Sequence, residues 1–276
     1  MDLAKNIEEY DLVFIDLETT GLDVIMGDAI CEIGAFKVRN RKIIDKFHTL
    51  VNPERSIPLE AYQVHKISAA DVKFAPSFRK IAPKLVSFAA DSVICAYNAS
   101  FDMGFIEHQL KAAGLQPLSV PALDILAMAR DALSLARYNL GNVAQVLQLT
   151  NGTTAHRALE DAMVSYRVFF KLVDIFKEKN IEYLSDFLCL YGFSNALVKF
   201  HDNQKLALIN QALASEKHLE ITYFSEHAHI EKATIIPLRV LQENCYFYLL
   251  YQAQEQSSRR IRSNRILGVK VLEERR

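Results

Sequence analysis

The chain has no tryptophan, only four cysteines, and no run of eighteen or more apolar residues without charge, the length that spans a bilayer. Its cysteines are far apart and form no CxxC pair, so the sequence predicts neither a disulfide framework nor a zinc site, and reduced, mostly buried thiols are expected. The first residues, MDLAKN, do not have the composition of a signal peptide. These absences argue against a secreted or membrane protein, and we expect a cytoplasmic protein with no membrane partner.

The composition also argues against a disordered or strongly basic chain. Half of the 276 residues are hydrophobic, 24% are charged and the mean hydropathy is +0.04, as is typical of globular proteins. The length favours two domains over one. A net charge of −1 argues against indiscriminate binding to polyanions, but it is compatible with an enzyme whose metal ions supply positive charge locally.

Two acidic residues end the first apolar run of the sequence. Residues 11–18 (DLVFIDLE) are followed by Thr19-Thr20-Gly21, which predicts a buried strand that ends at a turn. Asp16 and Glu18 are two residues apart and therefore share one face of this strand. Paired carboxylates repel each other and lose hydration there, which Mg²⁺ or Mn²⁺ would offset. Taken alone, the tripeptide is more often a solvated strand end.

A third acidic residue follows a second apolar run. Residues 92–97 (SVICAY) predict a strand, residues 103–110 have the apolar spacing of a helix, and Asp102 lies at the turn between them. Open α/β sheets bind their ligands at such turns, where Asp102 can reach a second metal ion while Asn98 orients the loop. An ordinary helix N-cap explains this segment equally well.

The segment HRALED contributes a histidine and a fourth carboxylate. Inside one helix, the side chains of His156 and Asp161 would point ~140° apart. We therefore place His156 on the loop before the helix and Asp161 on the inward face of the helix. A histidine in that place can accept a proton from an attacking water, because the pKa of a free histidine is close to neutral. By itself, a surface loop histidine is the simpler interpretation.

The order and spacing of these residues resemble the DEDDh exonucleases, a DnaQ-like family that includes the proofreading subunit of bacterial DNA polymerase III. Residues 16–19 match the signature DxET, residues 98–102 match NxxFD and residues 156–161 match HxxxxD. The resemblance covers roughly residues 8 to 175. It implies an α/β fold of the RNase H type, in which a mixed sheet is flanked by helices.

The same resemblance assigns roles to individual residues. It implies one divalent ion held by Asp16, Glu18 and Asp161, a second held by Asp16 and Asp102, and His156 as general base. The terminal nucleotide would be held by Thr19, Leu22, His65, Asn98 and Phe101. His65 lies in a segment HKI where the family has HGI, so a lysine replaces glycine in a turn that contacts substrate.

The sequence divides into three parts. We predict an exonuclease domain over residues 1–178, a helical linker over 179–202 and a second domain over 203–276. A polar break at residues 177–180 (KEKN) marks the end of the first domain. No long Gly/Ser/Pro segment follows, so the two domains are expected to pack together or to be joined by helix.

The second domain has a helix followed by short strands. A helix over residues 203–214 and strands over 219–224, 232–236 and 246–251 predict a small β-barrel of the SH3/Sm type. The pattern resembles a WYL domain, which is common in bacterial regulators. The matching features are Ile221-x-Tyr223, Pro237-Leu238-Arg239 before a turn, Phe247-Tyr248-Leu249, and Arg260-x-Arg262-x-x-Arg265-Ile266. Phe247 stands where that family has its tryptophan.

WYL domains are associated with nucleic-acid or nucleotide-like ligands, so the resemblance implies a second, non-catalytic contact surface. Its residues would be Arg239, Tyr248, Arg260, Arg262 and Arg265. Arginine forks suit phosphates, and an aromatic ring can stack on a base. Alternating arginines on a strand can equally form a solvated face, and we expect Phe247 and Leu249 to fill the barrel.

We predict a metal-dependent 3′-to-5′ exonuclease that acts on single-stranded DNA. RNA 3′ ends are an alternative substrate, because no residue identifies a 2′-hydroxyl contact. An alternative of another class is a regulatory protein that senses nucleic acid or a nucleotide through the barrel. A DNA polymerase or a repair complex would be the partner; the lack of a clear polymerase-binding segment favours repair or turnover over proofreading.

Overall fold

The computed structural model describes residues 4–149, 156–193, 196–225, 229–243, 246–253 and 257–272. Within these ranges the chain forms two sheets. The first sheet has helices on both faces, and the second, near the carboxyl terminus, is antiparallel. No helix in the described ranges is long and apolar enough to cross a membrane.

The strands of the first sheet are, in chain order, β1 (Leu12–Thr19), β2 (Ile30–Arg39), β3 (Lys42–Leu50), β4 (Val93–Ala96), β5 (Ala122–Asp124) and β6 (Gly192–Phe193). Their spatial order is β3-β2-β1-β4-β5-β6. β1 pairs antiparallel with β2 and parallel with β4, so the sheet is mixed, as the sequence predicted. The central position of β1 brings its carboxyl end close to the turns that follow β4 and β5.

The helices are α1 (Leu59–His65), α2 (Ala69–Val72), α3 (Phe78–Ala89), α4 (Ala99–Ala112), α5 (Ile125–Ala132), α6 (Leu140–Val146), α7 (Ala158–Lys177), α8 (Leu184–Tyr191) and α9 (Ala196–Ala214). Two hydrophobic cores lie on the two faces of the first sheet. Leu12 and Phe14 of β1 pack in the core that contains α7, whereas Val13 and Ile15 pack in the core that contains α3 and α4. Because side chains alternate along a strand, the next residues of the Leu12 row, Asp16 and Glu18, also face α7.

The second sheet contains β7 (Leu219–Phe224), β8 (Ile230–Glu243), β9 (Tyr246–Gln252), β10 (Ser258–Arg262) and β11 (Ile266–Val271). Their order is β10-β9-β8-β7-β11. The two edge strands, β10 and β11, are consecutive in sequence and joined only by a 3-10 turn at Ser263–Arg265, so the sheet curls.

β8 is longer than the predicted strand over residues 232–236, because it continues through Pro237-Leu238-Arg239, the segment expected to precede a turn, and ends at Glu243. The first half of β8 pairs with β7 and the second half pairs with β9, and the register shifts between Pro237 and Arg239. A proline lacks the N–H that a regular ladder needs, and a bulge is where a strand tolerates it. The proline in the sequence therefore marks the point where β8 changes its partner strand from β7 to β9.

The two sheets are packed together and are also joined by helix, the two arrangements that the sequence left open. Phe224 of β7 belongs to the core on the α7 face of the first sheet, and its ring lies 6.1 Å from that of Phe176. Both α8 and the start of α9 fall within residues 179–202, the predicted helical linker. The domain boundaries at residues 178 and 202 remain predictions.

Candidate active site

Three carboxylates of the predicted set meet at the end of β1. Asp16, Glu18 and Asp161 each offer an oxygen, and these oxygens lie within 4.8 Å of one another. Asp16 and Glu18 come from β1, and Asp161 comes from the first turn of α7. The arrangement follows from the alternation along β1, which turns both β1 carboxylates towards α7.

A glycine lets α7 come this close to the sheet. Gly34 of β2 lies directly opposite Asp16 in the β1–β2 ladder. A Cβ atom at Gly34 would overlap the backbone of Ala158 and Leu159, the first residues of α7. Glycine at this position therefore allows the helix backbone to rest on β2, which brings Asp161 to the two β1 carboxylates.

Asp102 reaches the site from the opposite helical layer. It is buried in the first turn of α4, the helix that follows β4. Asp102 therefore lies inside the helix and not in the connection between β4 and α4, where the sequence had placed it. The turn is fixed by Asp124, whose Oδ1 accepts hydrogen bonds from the backbone of Asn98 (3.2 Å) and Leu126 (2.9 Å). The charge of Asp102 is one of the causes that raise the pKa of Asp16, so the two carboxylates are close.

The electrostatics of the cluster are unfavourable without a cation. Burial, followed by the charges of Asp102 and Asp161, raises the pKa of Asp16 well above its usual value. Burial and the charge of Asp161 raise the pKa of Glu18 to about 8. Among the described residues, Asp161 Oδ1 is a buried oxygen with no hydrogen-bond partner. Clustered carboxylate oxygens with unused acceptor capacity are the donor set that Mg²⁺ or Mn²⁺ prefers, so the residues fit divalent ions.

His156 lies outside the helix, as its spacing from Asp161 predicted. It is exposed and has a left-handed backbone (φ 43°), and α7 begins two residues later. Burial raises the pKa of Asp161, and the charge of a protonated His156 opposes that rise, so the imidazole lies within electrostatic range of the carboxylate. Residues 150–155, which directly precede His156, lie outside the described residues.

The residues expected to hold the terminal nucleotide differ in exposure. Leu22 is 85% exposed on the loop between β1 and β2. Thr19 is buried and donates its hydroxyl to the carbonyl of Gly21 (2.6 Å). Asn98 is the N-cap residue of α4, and Phe101 is half-buried with its ring 4.9 Å from that of Phe105.

His65 is buried beside Thr19, the last residue of β1. It is 2% exposed, its Nδ1 accepts a hydrogen bond from the backbone of Ile67 (2.9 Å), and it also bonds to the backbone of Thr19. Its ring therefore contacts the backbone of Thr19 and is not open to solvent. Lys66 has a left-handed backbone (φ 59°), the conformation that glycine adopts most readily. Lysine adopts the same conformation here.

Sequence reasoning missed a second layer of polar residues. Glu32 of β2 is fully buried and bonds to Arg157 and His48, and it lies opposite Glu18 in the ladder. The only sequence signal was an acidic residue inside the apolar run ICEIGAF. Its partners lie 16 and 125 residues away, a separation that no local pattern encodes.

The residues of the proposed second surface do not all come together. Tyr248, Arg260 and Arg262 line a cavity of about 610 Å³ in the second sheet, and the Arg260 guanidinium lies 5.1 Å from the centre of the Tyr248 ring. Arg239 is exposed on β8 and is not among the residues that line the cavity. Leu249 is buried in the core of this sheet, as expected, and Phe247 is half-buried.

Arg265 borders the same cavity but bridges the two sheets. Its guanidinium forms an ion pair with Asp131 of α5 (2.7 Å) and donates to the backbone carbonyls of Phe224 (3.0 Å) and Ser225 (2.9 Å). These bonds explain the arginine without any ligand.

Comparison with known proteins agrees with this geometry. The family model described as "Exonuclease" matches residues 13–169. The chain is 39% identical over 166 residues to the DNA polymerase III subunit epsilon of Rickettsia prowazekii, which covers 58% of this chain and 72% of that protein. It is 36% identical over 174 residues to the PolC-type DNA polymerase III of Thermotoga maritima. That match covers 63% of this chain but 13% of the polymerase.

Solved structures support the fold. The apo form of exonuclease I aligns with a TM-score of 0.57 at 13% identity, over 93% of this chain and 63% of that one. The nuclease domain of 3′hExo, a DEDDh family member bound to rAMP, aligns with a TM-score of 0.54 at 15% identity, over 62% of this chain and 94% of that one. The alignment with exonuclease I extends beyond residues 13–169, so it includes part of the second sheet.

Proposed function

The chain belongs to the exonuclease family, and we propose that it is a DEDDh-type enzyme that hydrolyses phosphodiester bonds from the 3′ end of single-stranded DNA. The observation that carries this proposal is the cluster of Asp16, Glu18 and Asp161 oxygens within 4.8 Å of one another. The charge of Asp102 acts on Asp16 and the charge of His156 acts on Asp161, which supports including both residues in the proposed site.

Four carboxylates would hold two divalent ions, Mg²⁺ or Mn²⁺. Asp16, Glu18 and Asp161 would bind one ion, and Asp16 together with Asp102 would bind the other. When bound, such ions neutralise the phosphate and stabilise the leaving 3′-oxygen. His156 would take a proton from the attacking water, and the neighbouring Asp161 carboxylate would stabilise the resulting imidazolium.

The loop between β1 and β2 would hold the terminal nucleotide. The carboxylate of Asp28 accepts from the Thr20 hydroxyl (3.1 Å) and the Asp23 N–H (3.1 Å), which ties the loop to the end of β1. Leu22 is presented to solvent from this fixed loop and would pack against the terminal base. A site that takes one frayed end selects unpaired strands, and a basic second sheet could follow the strand.

The substrate assignment has two candidates. DNA is supported by the relatives named as subunits or types of DNA polymerase III. RNA is the second candidate, because a structural neighbour is bound to rAMP. The chain spans only 13% of the PolC-type relative, so that match does not extend the role of the polymerase to this chain. We favour a role in repair or turnover in the cytoplasm.

The second sheet has its own proposed role. We propose that it is a WYL-like SH3/Sm barrel and that Tyr248, Arg260 and Arg262 contact nucleic acid outside the catalytic site. The cavity between these side chains and the ring–guanidinium pair support this role. If the protein is mainly a sensor of nucleic acid or nucleotides, binding will survive the loss of Asp16 and Glu18.

Degradation of 5′-labelled single-stranded DNA and matched RNA, with Mg²⁺ or Mn²⁺, tests the proposal. We expect a ladder that shortens from the 3′ end and disappears with EDTA or with Asp16→Ala. His156→Ala should lower kcat by about 10²- to 10⁴-fold, the usual contribution of a general base. Asp11→Ala is the matched control, because Asp11 lies just before β1 and pairs with Arg39 (2.6 Å). Intact strands despite demonstrated metal binding would favour the sensor.

A further inference from the structure

Glu32 is a buried carboxylate that the proposed chemistry does not use. It is 0% exposed, sits on β2 opposite Glu18, and its charge contributes to raising the pKa of Glu18. Burying a fifth carboxylate beside the cluster is costly unless the group is fully hydrogen-bonded. A buried glutamate at this position therefore requires hydrogen-bond donors that offset the cost.

The oxygens of Glu32 are occupied by donors from three directions. Arg157 donates from Nε (3.0 Å) and from its terminal nitrogen (2.6 Å), the backbone N–H of Ala158 donates (3.1 Å), and His48 Nε2 lies at 2.8 Å. Burial alone would raise the pKa of Glu32, but these bonds hold it below its usual value. The group is an ionised acceptor with its oxygens already used, which distinguishes it from Asp161.

These bonds fix the start of α7 from outside the helix. Arg157 is the N-cap residue, and its side chain makes no capping hydrogen bond to the helix. Glu32 instead accepts from the first helical N–H, at Ala158, where the helix end favours negative charge. His156 immediately precedes the two residues that Glu32 holds.

We propose that Glu32 is a positioning residue: through Arg157 and Ala158 it holds the turn that places His156 beside Asp161. This inference rests on the proposed exonuclease function and adds a residue to it. Glu32 is not a metal ligand in this assignment.

The test compares Glu32→Gln with Glu8→Gln. Glu8 is a matched control, because it also accepts from two basic side chains, Arg41 (2.7 Å) and Lys177 (2.5 Å), at the far end of the same domain. The amide introduced by Glu32→Gln would turn a donor towards Arg157 or Ala158 and loosen the turn. We expect kcat of Glu32→Gln to fall on the order of 100-fold, with KM and the Mg²⁺ midpoint changed by less than about 3-fold. Glu8→Gln should lower the melting temperature and leave kcat unchanged.

A second comparison isolates the route of action. In a His156→Ala background, Glu32→Gln should cost less than about 3-fold further, since effects that act through one group are not additive. A further loss as large as in the wild type would overturn the proposal, and so would a raised Mg²⁺ midpoint. An active wild type whose Glu32→Gln variant behaves like Glu8→Gln would overturn the role of Glu32 alone. A wild type that leaves every labelled strand intact would overturn both this role and the proposed function.

Discussion

Individual side chains at the end of β1 set the electrostatics of the site. Asp16, Glu18 and Asp161 are held together by packing, and burial together with their mutual repulsion raises the pKa of Asp16 and Glu18. Glu32, which lies in the same ladder row as Glu18, has a lowered pKa because Arg157 and His48 bond to it. The site thus contains three clustered carboxylates that require a cation, and a further carboxylate, Glu32, that already accepts hydrogen bonds from protein donors.

This contrast predicts a pH dependence for the metal-free protein. Glu18 has a pKa of about 8 when folded against 4.5 in an exposed glutamate, so its protonated form favours the folded state. That contribution is fully present below about pH 4.5 and is lost as the pH rises to about 8. The melting temperature with EDTA should therefore fall across this window. Mg²⁺ should oppose the fall, most strongly at the high end, because metal binding needs the deprotonated ligand.

Glu18→Gln is the variant that checks the assignment. It removes the titrating group but keeps the shape of the side chain, so the metal-free melting temperature should vary less between about pH 5 and about pH 8 than in the wild type. Equal slopes in the two proteins would show that Glu18 is not the group responsible.

The sequence was sufficient to name Asp16, Glu18 and Asp161, which meet at the end of β1, because the signatures that contain them are short. It could not name Glu32. The role of Glu32 depends on its hydrogen bonds to Arg157, which is 125 residues away in the sequence. The sequence also could not predict that His65 is buried. The motif gives the order of the residues but not the direction in which the imidazole ring packs.

Among the helices, α7 determines whether the site can form. Its first turn carries Asp161 and rests directly on β2 at Gly34. The helix itself was predicted to follow His156, and it ends at Lys177, the first residue of the polar break at 177–180. The distance between helix and sheet was not predictable, because it depends on the absence of one Cβ atom on a neighbouring strand.

Gly34→Ala should separate α7 from the sheet. The added methyl group has no space beside Ala158 and Leu159, and such overpacking costs about 1–3 kcal/mol in free energy of unfolding. Moving the first turn of α7 also moves Asp161, so we expect exonuclease activity to fall as well. Denaturant unfolding and the labelled-strand assay measure the two effects.

Gly104→Ala provides the matched control. A Cβ atom at Gly104 in α4 meets nothing within 4 Å, and alanine is the better helix former by about 1 kcal/mol. This variant should be slightly more stable and fully active. If Gly34→Ala behaved in the same way, the close approach of α7 would not be what sets the position of Asp161.

Across the entire chain, the two sheets are joined by specific contacts. Lys205 of α9 is buried and donates both to Cys189 Sγ of α8 (3.0 Å) and to the carbonyl of Ile266 (3.0 Å), while Arg265 pairs with Asp131. The sequence predicted that the two parts would pack, because it has no flexible linker. It assigned Arg265 to a ligand surface, since an arginine in a basic run gives no sign of a partner on α5.

Arg265→Ala should act on stability and not on affinity for nucleic acid. Loss of the Asp131 pair and of two carbonyl bonds should cost about 1–3 kcal/mol in free energy of unfolding. Arg239→Ala, at an exposed arginine, should leave stability unchanged. Denaturant unfolding together with binding to single-stranded DNA separates the roles, and a selective loss of binding in Arg265→Ala would instead support the predicted ligand contact.

Phe224 belongs to the second sheet by sequence but to the first sheet by packing, against Phe176. The core on the α7 face of the first sheet therefore includes a residue of the second sheet, and the two parts should melt as one cooperative unit in a single calorimetric transition. Thermodynamic linkage then runs in both directions: whatever binds and stabilises the curled sheet also protects the catalytic sheet from unfolding. A ligand on one side could in this way preserve the enzyme on the other without any change of shape.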